Sequence, residues 1–234
     1  LSRPAGGMPP NRRLAGALAI VLALASAPAA AAPPEVTISY GAGLDRLCAL
    51  VRGYGIEPAW REELERVLPE FRLAWQARGP AILAAVERLT GRSFGTDEVT
   101  ARLTLCDVPS NSLLGVVVNM RHALGSFTAR PVPLRYKATV LAHEVLHGFL
   151  ADNPVGESAL LREHAGEPAA VRDHLHLLAL LKAALVETGD TEGLEEAVRI
   201  DGLLPGGTYR RAWELVNRTP EEYRRYVDEV RRGG

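Results

Sequence analysis

Cysteine is scarce in this 234-residue chain: Cys48 and Cys106 are the only two, and neither lies in a C-x-x-C pair or at the spacing of a Cys/His finger. A structural zinc knuckle is thereby excluded. An excess of charge of either sign is also lacking. The 27 Lys and Arg residues are balanced by 28 Asp and Glu, a formal net charge of -1, so there is no basic footprint for a phosphate backbone. Nucleic acid is not an expected partner. Long hydrophobic runs are missing as well, since the longest extends only from Leu14 to Ala25, too short to span a bilayer comfortably and without a stop-transfer pattern after it. No retained membrane span is expected. There is no internal repeat, which argues against a solenoid.

What is present suits one folded domain, because 47% hydrophobic residues over this length can build a sizeable core. The run from Leu14 to Ala25 sits between Arg12-Arg13 and the small-residue stretch SAPAAAAPP, the pattern of an export signal. Residues 1–32 are accordingly expected to be a signal peptide, and residues 33–234 a domain that is secreted or periplasmic. Export would permit a Cys48–Cys106 disulfide. The apolar settings DRLCALV and TLCDV suit two buried free thiols equally well.

Periodicity predicts an α+β fold, mostly helical with a small sheet. Val36 to Tyr40 alternates as a strand does, and LDRLCALVRGYG reads as a short helix ended by glycines. A second helix opens at Pro58, with Leu64, Val67, Leu68, Phe71 and Trp75 on one face, and Pro69 is expected to kink or divide it. PAILAAVERLTGR reads as a third helix. VTARLTLCDV and LLGVVVNM are rich in β-branched residues and predict two adjacent strands separated by the turn cluster PSNS. LRYKATVLAHEVLHGFLADNP predicts a helix of about five turns that stops before Pro154. PAAVRDHLHLLALLKAALVETG, with Pro168 just inside its start and Gly189 just past its end, predicts the most apolar helix of the chain. The remainder reads as short helices, including RRAWELV and EEYRRYVDEV.

All six histidines fall between His122 and His176, and two of them, His143 and His147, stand in the greasy run VLAHEVLHGF. Four residues apart on a helix, they share a face and can aim two imidazoles at one ion. Glu144 is turned slightly aside, and its longer side chain can reach a water beside that ion and take its proton.

HEVLH in this uncharged setting resembles the HExxH signature of the zincin metallopeptidases. The resemblance covers this helix and at most the next. It implies a zinc ion, a third protein ligand, a peptide or protein substrate, and a strand edge lying over the HExxH helix that pairs with extended substrate. The longer metzincin motif is not matched, because Leu150 and Asn153 stand where a glycine and a third histidine belong. Gluzincins, which draw the third ligand from a downstream helix, are the better likeness, with Glu163, Glu167 and His174 as candidates. Glu167 has a spacing familiar from thermolysin-like enzymes but precedes Pro168. His174 is preferred, expected in the second turn of the apolar helix on the face continued by Leu178, Leu181 and Leu185. His176 should point to the nearly opposite side.

The activity expected on this basis is exported, zinc-dependent peptide hydrolysis. Glu144 would be the general base, and Tyr209, after the flexible Gly206-Gly207 pair, would stabilise the carbonyl oxygen. His122 is the other candidate for that donor, and Asp173 could orient a ligand imidazole. The alternative is an exported module that uses the same histidines to bind metal or a protein without catalysis.

Overall fold

In the computed structural model of the protein, Glu35–Tyr40 (β1), Glu98–Thr104 (β2) and Val116–Asn119 (β3) form one sheet in the order β1-β2-β3. The structure describes residues 1–2, 32–53, 55–113 and 115–233. The expected export signal therefore lies outside the described residues except for Leu1, Ser2 and Ala32. The chain divides into Leu1–Ala30 and Ala31–Gly234, and every element below belongs to the second unit.

Both strand pairs are parallel, with Glu35 opposite Glu98 and Ala101 opposite Val116 as the first partners. The crossover from β1 to β2 carries three helices, Ala42–Arg52 (α1), Pro58–Gln76 (α2) and Gly79–Thr90 (α3). The helix α2 continues through Pro69 without being divided, contrary to one expectation from the sequence.

The expected strands β2 and β3 are neighbours, but PSNS does not close a hairpin between them. Instead, Ser110 and Asn111 of the connection lie along the outer edge of β3. There Asn111 and Val117 exchange backbone hydrogen bonds of 3.0 and 2.8 Å, and the Asn119 N–H donates to Ser110 Oγ at 3.0 Å. The outer edge of β3, where the zincin resemblance would seat an extended substrate, is thus taken at Val117 and Asn119 by the chain itself.

The helix Leu134–Asp152 (α4) stops two residues before Pro154, as the restricted backbone ahead of a proline requires. It is apolar nearly all round, and its run from Tyr136 to Leu146 is buried at every position except Val140. One side faces β3, and others face α2, α3 and Leu175–Glu187 (α7). α7 is the second central helix, with Leu175 to Leu181 buried without interruption. Around it pack α3, α4, Thr191–Asp201 (α8), Thr208–Val216 (α9) and Glu222–Arg232 (α10). Two short helices, Ala159–Glu163 (α5) and Ala169–Arg172 (α6), link α4 to α7.

One covalent tie and two polar ones fix the frame. A Cys48–Cys106 disulfide joins α1 to the end of β2, with Cα atoms 5.9 Å apart. It closes a 58-residue separation, for which chain entropy alone predicts a stabilisation of about 4 kcal/mol. Beside it the buried Asp45 accepts hydrogen bonds from Tyr40 Oη at 2.7 Å, Thr104 Oγ1 at 2.5 Å and the Leu105 N–H at 3.0 Å. On the far side of α4, Asp201 of α8 accepts from Tyr136 Oη at 2.7 Å and from Trp213 Nε1 at 2.9 Å. That carboxylate clamps α4, α8 and α9 together, and so sets the position of Tyr209 at the start of α9.

Candidate metal centre

The spacing of four in α4 puts His143 and His147 on one face, their ring centroids 5.0 Å apart. His174 approaches both, 5.4 Å from each. One nitrogen from each of the three rings can be chosen so that all lie within 4.8 Å of one another. A tetrahedral zinc ion with bonds of 2.0–2.1 Å would hold its nitrogens about 3.4 Å apart, a contraction within reach of small side-chain rotations.

His174 reaches this point by a route that helical periodicity does not reveal. The expected continuous helix from Pro168 is broken: α6 ends at Arg172, and His174 is the residue that caps α7. The His174 N–H bonds to the Val171 carbonyl at 3.1 Å, one residue short of the α-helical partner. The Ala170 carbonyl left over accepts from His174 Nδ1 at 2.7 Å. The ring takes the place of the missing backbone donor. The bond also fixes the tautomer, since a proton held on Nδ1 leaves Nε2 as the lone pair that faces the other two histidines.

The other two imidazoles have the right protonation state for ligation. Burial, reinforced by the neighbouring imidazoles, holds His143 well below the usual histidine range, and His147 is pushed down to about 4 mainly by burial. Both are neutral at pH 7. His143 Nε2 is buried and has no hydrogen-bond partner among the described residues. An orphaned imidazole nitrogen aimed at two others is costly unless something occupies their focus. Three imidazole nitrogens, with no thiolate and no protein carboxylate among them, suit a transition-metal ion such as zinc, copper, iron or nickel.

Glu144 is almost wholly buried yet accepts no hydrogen bond among the described residues, and burial pushes it up to about 8. Its side chain lines two cavities. One, of about 390 Å³, is bounded by Asp107 to Ser110, His122, residues of α4, and Tyr209. The other, of about 410 Å³, lies towards β2 and β3, with Arg102, Val116 and Gly148 in its wall. Tyr209 sits over the histidines, its ring centroid 4.8 Å from that of His174 and 5.7 Å from that of His143. Burial pushes its hydroxyl up to about 12, helped by the Glu144 and Asp201 carboxylates, so it remains a donor. Gly206 and Gly207 precede it with φ of 83° and 72°, left-handed conformations that glycine adopts without strain.

The remaining candidates separate cleanly. Glu167 is bound by Arg211 at 2.6 and 3.0 Å, and Glu163 by Arg225 at 2.9 Å, so neither belongs to the cluster. His176 points away as expected and meets Glu229 at 2.8 Å. His122 lines the first of these cavities, and burial lowers its pKa. Asp173 is exposed at the break between α6 and α7, and its charge acts favourably on protonated His147. Lys137, which the sequence reading passed over, lines the same cavity as His143 and Glu144.

Comparison with protein-family models, curated proteins and solved structures gives no match.

The site therefore stands on its geometry alone. It brings together three imidazoles, an unpartnered carboxyl and a tyrosine, with His143, Glu144 and Tyr209 lining one cavity and Glu144 also lining the other. No helix among the described residues is long and apolar enough to cross a membrane.

Proposed function

We propose that the protein is a zinc-dependent peptidase, with His143, His147 and His174 as the metal-holding residues. The observation that carries this reading is the convergence of three imidazoles beside a buried carboxyl group that has no structural partner. When bound, zinc acts as a Lewis acid that acidifies water towards a pKa of about 7 and polarises a peptide carbonyl.

The chain's own residues supply the rest. Burial raises Glu144 to about 8 in the metal-free protein, where it is largely protonated at neutral pH; its carboxylate is the form that accepts a proton from water. A cation at the neighbouring histidines would lower that value by favouring the carboxylate. Glu144 then carries the proton to the departing amine. The Tyr209 hydroxyl donates a hydrogen bond to the carbonyl oxygen as negative charge grows there. On this reading the third donor is a histidine, which departs from the gluzincin pattern suggested by the HEVLH resemblance.

The Cys48–Cys106 disulfide favours an oxidising compartment, in keeping with a secreted or periplasmic protein. Hydrolysis of a mixed peptide library, with Glu144→Gln as the comparison, tests the reading. Wild type should cleave and the variant should not, while both carry zinc. Zinc binding with no cleavage by wild type would instead favour a metal-binding module without catalysis.

A further inference from the structure

The cavity of about 390 Å³ holds a charge that the hydrolytic reading does not use. Lys137 precedes Glu144 by seven residues, two turns of α4, so both lie on one face of the helix. The residue is 7% exposed, and its ammonium group makes no hydrogen bond or ion pair among the described residues, but it is not among the side-chain atoms sealed from solvent. The nearest aromatic face, that of Tyr136, lies 6.0 Å away. A buried ammonium without a partner destabilises a fold, and substitution by an apolar residue of similar length ordinarily relieves the cost. Its retention at the wall of a cavity suggests a ligand.

The neighbouring acids do not fill that role. Asp201 lies in the same wall and its charge favours protonated Lys137, but it makes no hydrogen bond to the ammonium: Tyr136 and Trp213 each donate to one of its oxygens, and burial raises its pKa. Asp107 is paired with Arg121 at 3.1 Å and is largely exposed. His122, another basic group in the wall, has its pKa lowered by burial and by Lys137. Burial also pushes Lys137 down to about 8, which still leaves the ammonium protonated at neutral pH.

We propose that Lys137 binds a carboxylate of the substrate, one to three residues from the bond that is cut. Seven residues of helix rise about 10 Å, and extended peptide advances about 3.5 Å per residue, so a peptide held beside Glu144 brings such a group within reach of the lysine. The carboxylate is either a free C-terminus or an acidic side chain. Calling the bound molecule a substrate rests on the peptidase reading; the binding itself does not.

The test uses the metal-free protein, so that no carboxylate can be captured by zinc. Calorimetric titration with acetyl-Ala-Ala-Ala, as the free acid and as the C-terminal amide, probes the first source. The pair acetyl-Ala-Glu-Ala-amide and acetyl-Ala-Gln-Ala-amide probes the second. In at least one pair the acidic member should bind about tenfold or more tightly, as expected for a charge-assisted hydrogen bond, and Lys137→Met should remove the difference. Lys137→Met should also melt at a higher temperature than wild type, which guards against misfolding, and Lys137→Gln provides a second variant. Equal binding of acidic and neutral peptides in both pairs, or a preference that survives in Lys137→Met, overturns the proposal. If peptides are cleaved but show no acidic preference, only this proposal falls; if the preference holds and nothing is cleaved, only the peptidase reading falls.

Discussion

Two buried Glu–His groupings sit on opposite sides of the same helical core, and they differ in how their bonds are used. Glu229 of α10 accepts from His176 at 2.8 Å, from Ser158 Oγ at 2.6 Å and from the Ala159 N–H at 2.8 Å. Burial raises its pKa, but the bonds from Ser158, His176 and the Leu160 N–H outweigh burial, and the net shift is down. Glu144 of α4 has burial without the bonds, and its pKa goes up. Likewise His176 is bonded, whereas His143 Nε2 is an orphan. The same residue types thus serve as a closed polar tie in one place and as an open set of donors and acceptors in the other. Unused bonding capacity, more than residue identity, distinguishes a site from a brace.

The comparison can be broken most decisively at Glu144. Glu144→Gln should lower the rate of peptide hydrolysis by about 10³-fold or more while zinc remains bound, as measured by turnover and by metal content on the same preparation. Retained activity would remove Glu144 from the chemistry. At the closed grouping the loss should be of stability instead. Glu229→Ala strands the Ser158 hydroxyl and two backbone N–H groups and should destabilise the fold by about 3 kcal/mol in denaturant melts, with zinc stoichiometry unchanged. Between these, Tyr209→Phe should reduce kcat by about 10²-fold with little change in KM or in bound zinc, the signature of a hydrogen bond made chiefly in the transition state.

A smaller effect sharpens the contrast through pH. In the metal-free protein Glu144 titrates at about 8, against an ordinary 4.5 in the unfolded chain. The folded state therefore holds the proton over that window, and the contribution of Glu144 to stability falls as pH rises from 4.5 to 8, by at most about 1.4 kcal/mol per unit. His147, at about 4 when folded against 6.5, acts in the opposite sense, and its contribution is lost as pH falls from 6.5 to 4. Subtracting the melts of metal-free Glu144→Gln from those of metal-free wild type isolates the first slope. A flat difference curve would show that Glu144 has found a partner.

Much of this was legible in the sequence where one helix decides the outcome. The convergence of His143 and His147 follows from a spacing of four, and the apolar character of α4 and α7 follows from composition. What depended on distant residues was not legible. Glu163 and Glu167 are engaged by Arg225 and Arg211, more than forty positions away. The parallel sense of β2 and β3 depends on where the connection 105–115 packs, which alternation along a strand does not record. His174 lies at a break that apolar periodicity masks, because Val171 and Leu175 are buried on both sides of it. Lys137 was readable by the spacing argument used for the histidines, but a lone lysine beside an apolar stripe ordinarily belongs to the solvated side of a helix.

Metal content bears most directly on the central claim. Protein purified without added metal, then equilibrated with limiting zinc and dialysed, should retain one zinc per chain by elemental analysis. His147→Ala should retain none, and His176→Ala, on the closed side of the core, should retain it in full. Equal zinc in wild type and His147→Ala, or none in either, would contradict the account.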